Sequence, residues 1–271
     1  MKNWKYENRF EIPFITLPQW RELGINIAFS TRYGGISDDP FHSLNMGLHV
    51  GDKKENVIEN RKRFLQVFDG DLYNMVCCQQ VHGNQVAAVD KYHLGRGAWE
   101  YNTALKGFDA MICNTPGIFL VSFYADCLPI YFFDPVKMVI GIAHSGWKGT
   151  IGRIACHTVE KMNREYGSIP ENIQVFIGPG IGQCCFEIQP ELIAKVNDEF
   201  SSIDDIIKKD EKGYRWNLQN TNQQILIQAG VKAENILICD ICTSCNIKMF
   251  YSYRREKGNT GRMGALIGLR N

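Results

Sequence analysis

The sequence predicts a mixed α/β (α+β) fold: two packed sheets flanked by helices, in a single domain spanning residues 1–271. Three observations carry this. The runs Ile118–Tyr124, Ile130–Phe133 and Met138–Ala143 follow one another closely and are continuously apolar, as strands buried on both faces are. Asp134-Pro135 turns the chain between the last two, and turns this short join antiparallel neighbours, which excludes a purely parallel crossover fold. Other segments carry apolar residues at helical spacing.

In chain order, Ile25 to Ser30 reads as a strand ending in the turn Thr31-Arg32-Tyr33-Gly34-Gly35. Glu55 to Phe68 reads as a helix, with Asp52 and Glu55 at capping-box spacing and an apolar stripe of Val57, Ile58, Phe64, Leu65 and Phe68. Arg61 falls on that stripe. A cation there must be paired, must reach a ligand, or must snorkel to solvent. Tyr73–Gln80 and Gln85–Val89 read as strands joined by a hairpin turn at Val81-His82-Gly83-Asn84. A strand follows at Ala110–Cys113. After the three apolar runs, a helix is expected from Thr150 to Tyr166, stopped by Gly167. Asn172–Gly178 reads as a strand, Pro190–Phe200 and Leu218–Ala229 as helices, and Ile236–Cys239 as a strand before a Tyr- and Arg-rich end. The polar stretch from Ser201 to Lys212 is the one weak boundary signal, and a surface loop explains it equally well.

Composition excludes several classes. The chain has 271 residues, 45% hydrophobic and 22% charged, enough to bury a core without staples. Thirty Lys+Arg against 29 Asp+Glu leave a net charge of +1, so nothing electrostatic points to nucleic acid. The N-terminus has no secretory pattern, and Asp126 and Pro129 interrupt the most apolar stretch, so no membrane span is expected and the location expected is cytoplasmic. The ten cysteines then read as reduced thiols rather than disulfides. They include Cys77-Cys78, Cys184-Cys185 and Cys239-x-x-Cys242-x-x-Cys245. The last run lacks a local fourth thiolate for an iron–sulfur cluster and overlaps a predicted strand, so it is read as buried structural thiols.

Dinucleotide, phosphate-loop, nucleophile-elbow and H-E-x-x-H motifs are absent. What remains is a set of polar residues at strand ends, where a rigid scaffold presents reactive groups. His82 sits in the turn between two predicted strands, Cys127 between two apolar runs, and His144 at the end of Met138–Ala143. Two imidazoles and a thiolate form a catalytic zinc set with one position open. They also match a thiolate–imidazole nucleophile. After His144, Ser145-Gly146-Trp147-Lys148-Gly149-Thr150 enters a helix. Its N–H groups with Lys148 offer an anion site, or Thr150 simply caps the helix.

Taken together, the motifs resemble the YfiH/YlmD/FAMIN-type family, long labelled laccase-like or multicopper polyphenol oxidase. The resemblance rests on Ser30-Thr31-Arg32-x-Gly34-Gly35, Asn45, Gly51-Asp52, Asn60-Arg61, Gln80-Val81-His82-Gly83 and Asp109-Ala110. It continues through Ala125-Asp126-Cys127-x-Pro129, Ala143-His144-x-Gly146-Trp147-x-Gly149, Gly178-Pro179-x-Ile181, Tyr251-Ser252-x-Arg254-Arg255 and Gly261-Arg262. Lys148 stands where the family usually has Arg, which keeps charge and loses bidentate geometry. The resemblance implies a four-layer α-β-β-α arrangement of mixed sheets. It implies a metal trio of His82, Cys127 and His144 with zinc, or copper, as occupant. It implies phosphorolysis of adenosine, inosine and methylthioadenosine, together with adenosine deamination. Arg61 is then the first candidate for substrate or anion contact, with Asn45, Ser30, Gln80 and Lys148 beside it.

Family members have also been described as copper-dependent polyphenol oxidases and as cytoplasmic editing factors for peptidoglycan precursors. A multicopper oxidase calls for about ten histidines, many in H-x-H pairs. This chain has six and no such pair, so copper oxidation ranks below the purine reading and below a cysteine- or metal-dependent hydrolase. A thiol-based redox or metal sensor ranks last. The expected partners are a purine nucleoside and phosphate, with no nucleic acid and no membrane; the sequence leaves the oligomeric state open.

Overall fold

The computed structural model describes residues 3–201, 205–211 and 213–270. From the N-terminus, β1 (Lys5–Arg9) and β2 (Ile12–Thr16) form a hairpin, and α1 (Pro18–Glu22) leads into β3 (Ile25–Ser30). Then come α2 (Lys54–Gln66), β4 (Met75–Cys77), β5 (Val86–Ala88) and β6 (Ala110–Cys113). The three apolar runs form β7 (Phe119–Tyr124), β8 (Leu128–Asp134) and β9 (Val139–Ser145), each buried along its whole length. The turn between β8 and β9 is held by Asp134, whose Oδ1 accepts from the N–H groups of Val136 (2.9 Å) and Lys137 (3.2 Å). The rest is α3 (Trp147–Ile151), α4 (Ile154–Tyr166), β10 (Gln174–Ile177), β11 (Glu187–Ile188), α5 (Pro190–Glu199), β12 (Ile207–Asp210), β13 (Gly213–Trp216), α6 (Leu218–Gln228), β14 (Ile236–Ile238) and β15 (Met263–Leu269).

Two six-stranded mixed sheets form the centre, ordered β1-β2-β3-β15-β7-β4 and β14-β10-β8-β9-β6-β5. Their facing surfaces share one core that includes Ile27, Phe29, Leu120, Phe133, Ile140 and Ile267. Two buried tyrosines stitch the sheets together: Tyr131 Oη donates to Ala28 O (2.8 Å) and Tyr124 Oη to Ala143 O (3.1 Å). Burial pushes both phenols well above their ordinary pKa, so they stay neutral donors. On the outer face of the first sheet, Phe64 and Leu65 of α2 pack on Phe14, Ala28 and Val121. On the outer face of the second, Ile154, Val159 and Met162 of α4 and Ile225 and Leu226 of α6 pack on Ile130, Phe132 and Val139. These are the four layers, α-β-β-α.

The structure corrects several local expectations. β4 and β5 do not form a hairpin. β4 pairs parallel with β7 in one sheet and β5 pairs parallel with β6 in the other, so the His82 turn crosses between sheets. Alternation in a sequence marks a strand but not the sheet it joins. The helix expected from Thr150 is two helices, α3 and α4, broken at Gly152-Arg153 where Arg153 has φ 53°. Gly146 is the N-cap of α3; Thr150 lies inside that helix and its Oγ1 donates to Gly146 O (2.9 Å). Asp52 does not cap α2. Its Oδ2 accepts from Ser37 Oγ (2.6 Å) and Asn45 Nδ2 (2.8 Å), fixing the preceding loop instead. The C-terminal end holds β15, a central strand that the sequence reading did not find. Within the polar 201–212 stretch, Ile207–Asp210 is β12, while residues 202–204 and 212 lie outside the described residues.

Arg61 is 2% exposed on the α2 stripe and is paired internally. Its Nε and Nη2 donate to Met46 O (2.9 and 2.7 Å), and Nη1 donates to Gly97 O (2.7 Å) and Ala98 O (2.8 Å). Its guanidinium lies 4.5 Å from the Phe123 ring centroid. One side chain thus ties α2 to two irregular segments that have no ladder partners of their own. Replacing Arg61 by Met strands those buried carbonyls and should cost about 3 kcal/mol, read as a lowered urea midpoint. The folded variant should keep KM for its substrate within about twofold; a larger rise would show that Arg61 meets the substrate directly.

Candidate metal centre and active site

Three chain segments converge at one end of the double sheet. The first is the β4–β5 crossing, which carries His82 with φ 60°. The second is the tight connection Ala125-Asp126-Cys127 from β7 in one sheet to β8 in the other, with Asp126 at φ 86°. The third is the end of β9, which places His144 opposite Pro129. One ligand atom each from His82, Cys127 and His144 lies within 4.8 Å of the others. The imidazole rings of His82 and His144 meet edge to face at 4.8 Å between centroids. Gly146 leaves room for the sulfur, since a Cβ there would stand 2.8 Å from Cys127 Sγ.

Asp109 organises this trio. Its carboxylate accepts from the main-chain N–H groups of Val81 (3.0 Å), His82 (3.0 Å) and Gly83 (2.7 Å), which holds the sheet-crossing turn. Its Oδ1 also lies 2.9 Å from His144 Nδ1, and the pair is almost wholly buried (4% and 0% exposed). Burial opposes ionisation of Asp109, but the His144 interaction and the N–H groups outweigh it and hold its pKa below the ordinary range. With Nδ1 engaged, His144 turns Nε2 toward the thiol side. A carboxylate behind a ligating histidine is the usual outer support of a metal-binding imidazole.

Cys127 and His144 shift each other. Burial alone would raise the thiol, yet His144 and His82 bring its pKa down. Burial alone would lower His144, yet the Cys127 thiolate and Asp109 raise it. The same donor set therefore suits a divalent ion, with three protein ligands and an open side, or a thiolate–imidazolium pair.

The trio lies in the wall of a cavity of about 550 Å³, within the ordinary size range of small-molecule sites. Of the other sequence candidates, Gln80 and Lys148 also line it. The Gln80 amide is held by Phe123, donating to its O (2.8 Å) and accepting from its N–H (2.8 Å). Lys148 is exposed, with Nζ 5.5 Å from the Trp147 ring centroid. Ser30, Asn45 and Arg61 do not line the cavity. Ser30 Oγ accepts from Gly264 N–H (3.0 Å), and Asn45 Oδ1 accepts from Arg262 N–H (2.9 Å), so both set the strand and loop behind the site. The helix after Gly146 is only five residues long, which weakens the argument for an anion site at its start.

Sequence reasoning assigned no role to several residues that the fold brings to the cavity. Arg254 and Arg262 bring positive charge, and Trp147, Phe186 and Tyr253 bring aromatic surface. His49 joins them. Burial first, then the cations Arg262 and Arg61, push its pKa down to about 4, so it is neutral at physiological pH. Four of these, Trp147, Arg254, Tyr253 and Arg262, stand within or beside quoted motifs; His49 and Phe186 carry no local signal.

The cysteine clusters also differ from expectation. Cys77, Cys78, Cys113, Cys239 and Cys242 are buried, but Cys184 and Cys245 are exposed. Cys239 is not part of the group: Cys242 and Cys245 gather with Cys184 and Cys185 from a segment almost sixty residues away, so tertiary structure supplies two of the four thiols.

Comparison with known proteins agrees with this architecture. The family described as multi-copper polyphenol oxidoreductase laccase matches residues 26–270. Purine nucleoside phosphorylase YlmD of Bacillus subtilis is 39% identical over 244 residues, covering 90% of this chain and 88% of its own. A protein of the same name from Geobacillus stearothermophilus is 38% identical over 249 residues, covering 91% of each. The crystal structure of YlmD from Geobacillus stearothermophilus superposes with a TM-score of 0.95 at 36% identity over 100% of both chains. That of the Bacillus licheniformis hypothetical protein YfiH superposes with a TM-score of 0.91 at 37% identity, over 98% of this chain and 99% of that one. The coverage and identity, together with the shared fold, make this chain a member of the YlmD/YfiH family with its laccase-like polyphenol oxidase domain.

Proposed function

We propose that the protein is a metal-dependent purine nucleoside phosphorylase that also deaminates adenosine, acting at His82, Cys127 and His144. The observation that carries this is the Asp109-supported trio in the wall of a cavity with cationic and aromatic surface. The names of the relatives supply the substrate class. A divalent ion held by the trio, zinc or copper, would supply Lewis acidity beside an open coordination position.

This chain's own residues divide the remaining work. Phosphorolysis brings an anion to a sugar carbon that turns positive as the purine departs. Lys148, Arg254 and Arg262 offer the counter-charge for phosphate. Trp147, Phe186 and Tyr253 offer faces for the base. Asp109 keeps His144 in one orientation, and the Gln80–Phe123 pair holds the cavity wall in place.

A single trio has too few ligands for the copper centres of a multicopper oxidase, and among the described residues no other histidine joins a metal-ligand group. The depressed Cys127 pKa favours one other reading, a Cys–His hydrolase acting through the thiolate. Chelation separates the two: a thiol nucleophile keeps its activity and a metal site loses it.

Three outcomes follow. Adenosine incubated with metal-loaded protein should give adenine only when phosphate is present, with inosine marking deamination, and Cys127→Ala should give neither on chromatography; absence of product in the unaltered protein would sink the purine assignment. Asp109→Asn should weaken metal binding by about 10–100-fold in competition with a chromophoric chelator, and unchanged affinity would remove Asp109 from this role. Lys148→Gln should raise KM for phosphate by about tenfold while leaving that for the nucleoside unaltered; the reverse pattern would place Lys148 on the nucleoside.

A further inference from the structure

A second constellation lies outside the trio. β10 and β14 are adjacent parallel strands, so the loops that follow them leave the sheet side by side. The pairing continues past the strands: Thr243 N–H donates to Gly180 O (2.9 Å) and Gly180 N–H to Ile241 O (3.4 Å). This brings Cys184-Cys185 against the turn Cys242-Thr243-Ser244-Cys245, a C-x-x-C spacing.

The four sulfurs lie within 4.8 Å of one another. Cys185 Sγ is 3.3 Å from Cys245 Sγ, Cys184 Sγ is 3.6 Å from Cys245 Sγ, and Cys184 and Cys185 Sγ are 3.9 Å apart. A disulfide needs about 2.05 Å, and all four are free thiols. In a tetrahedral tetrathiolate with metal–sulfur bonds of about 2.3 Å, each sulfur–sulfur edge is about 3.8 Å. The observed separations bracket that edge. An iron–sulfur cluster would hold its thiolates farther apart, because its own irons and sulfides stand between them.

The surroundings suit the charge. Four thiolates around a divalent ion carry a net charge of −2. Gly182 N–H donates to Cys242 Sγ (3.2 Å). Three guanidinium groups bind main-chain carbonyls of the same two loops. Arg215 donates to Cys184 O (2.7 Å), Arg254 to Cys185 O (3.4 Å) and Arg255 to Ser244 O (3.2 Å); Arg215 also pairs with Asp210 (2.6 Å).

We propose that Cys184, Cys185, Cys242 and Cys245 form a second, closed metal site that binds one zinc ion and clamps the β10 and β14 loops together. All four positions come from protein thiolates, so the site is structural rather than catalytic. Zinc binding displaces the thiol protons to water and joins two segments that are otherwise linked by a few main-chain bonds. The clamp acts on the active-site wall. Thr243, inside the C-x-x-C turn, donates to Asp126 Oδ1 (2.7 Å), and Ile181 N–H donates to Asp126 O (2.7 Å). Asp126 directly precedes Cys127, and Ile181, Phe186 and Arg254 line the cavity.

Metal counting tests this on the full chain, purified anaerobically with zinc. The unaltered protein should hold two zinc ions. His82→Asn/His144→Asn should retain one, and its cobalt form should show the intense sulfur-to-cobalt charge-transfer band of a tetrathiolate. Cys184→Ser/Cys245→Ser should lose that ion and band while keeping the other, with a lower Tm. A histidine variant that holds no metal ion, or a cobalt band of four-thiolate intensity that survives Cys184→Ser/Cys245→Ser, would overturn the proposal; the weaker band of a single thiolate at Cys127 is expected to remain. So would a mass two hydrogens lighter that maps to a Cys185–Cys245 disulfide in place of metal. Should the cysteine variant not fold, the histidine variant decides alone: a retained zinc with the tetrathiolate band supports the clamp, and its absence rejects it. The count does not depend on turnover, so it stands or falls apart from the purine assignment.

Discussion

The buried carboxylate of Asp109 is the interaction on which the site depends. It accepts three main-chain N–H groups from the turn at Val81-His82-Gly83 and meets His144 Nδ1 on the other side. A turn that crosses between two sheets has no ladder to satisfy its amides, and an unpaired buried N–H is costly. One carboxylate resolves that problem and orients an imidazole at the same time. The position of His82 and the orientation of His144 are therefore set together, by a residue at the start of β6 that itself joins neither strand crossing.

The location of the site follows from the layers. Two connections, β4–β5 and β7–β8, pass from one sheet to the other at the same end of the sandwich, and β9 ends there as well. Chain that crosses between layers must leave regular structure, and residues such as His82 and Asp126 take positive φ in doing so. The surrounding sheets are rigid, with Tyr124 and Tyr131 bonding across the interface. Reactive groups on short crossings between rigid layers are held more closely than they would be on long loops. Arg61 gives the opposite lesson. It is a cation on an apolar helix face near the site, yet its donors are engaged by main-chain carbonyls, so it stabilises the wall without opening onto the cavity.

The family's two kinds of name meet in one chemical fact. A thiolate with two imidazoles is a soft, nitrogen- and sulfur-rich donor set that suits zinc and also accepts copper. The donor set alone does not assign a reaction. The cavity's cationic residues and aromatic faces are what the proposed function relies on for an anion and a flat base.

Elements whose signal is local are legible in the residues alone. The β7, β8 and β9 runs, the Asp134 turn, the α2 stripe and the α6 helix follow from apolar periodicity and turn chemistry, and the His82, Cys127 and His144 trio stands in recognisable motifs, whereas the burial and internal pairing of Arg61 came only with the fold. Tertiary structure decided what depends on residues distant in sequence. Pairing of β4 and β5 with different sheets left no trace in their own residues. β15 escaped notice because its glycines interrupt the apolar pattern; at Gly264 a Cβ would stand 2.7 Å from Met46 Sδ, so close packing, invisible in one dimension, selects that residue. His49 and Phe186 reach the cavity only through the fold. The four-cysteine cluster is the clearest case: Cys242-x-x-Cys245 supplies only two of the four thiols, and the adjacency of β10 and β14 brings Cys184 and Cys185 to them, because parallel strands bring the loops after them to the same edge.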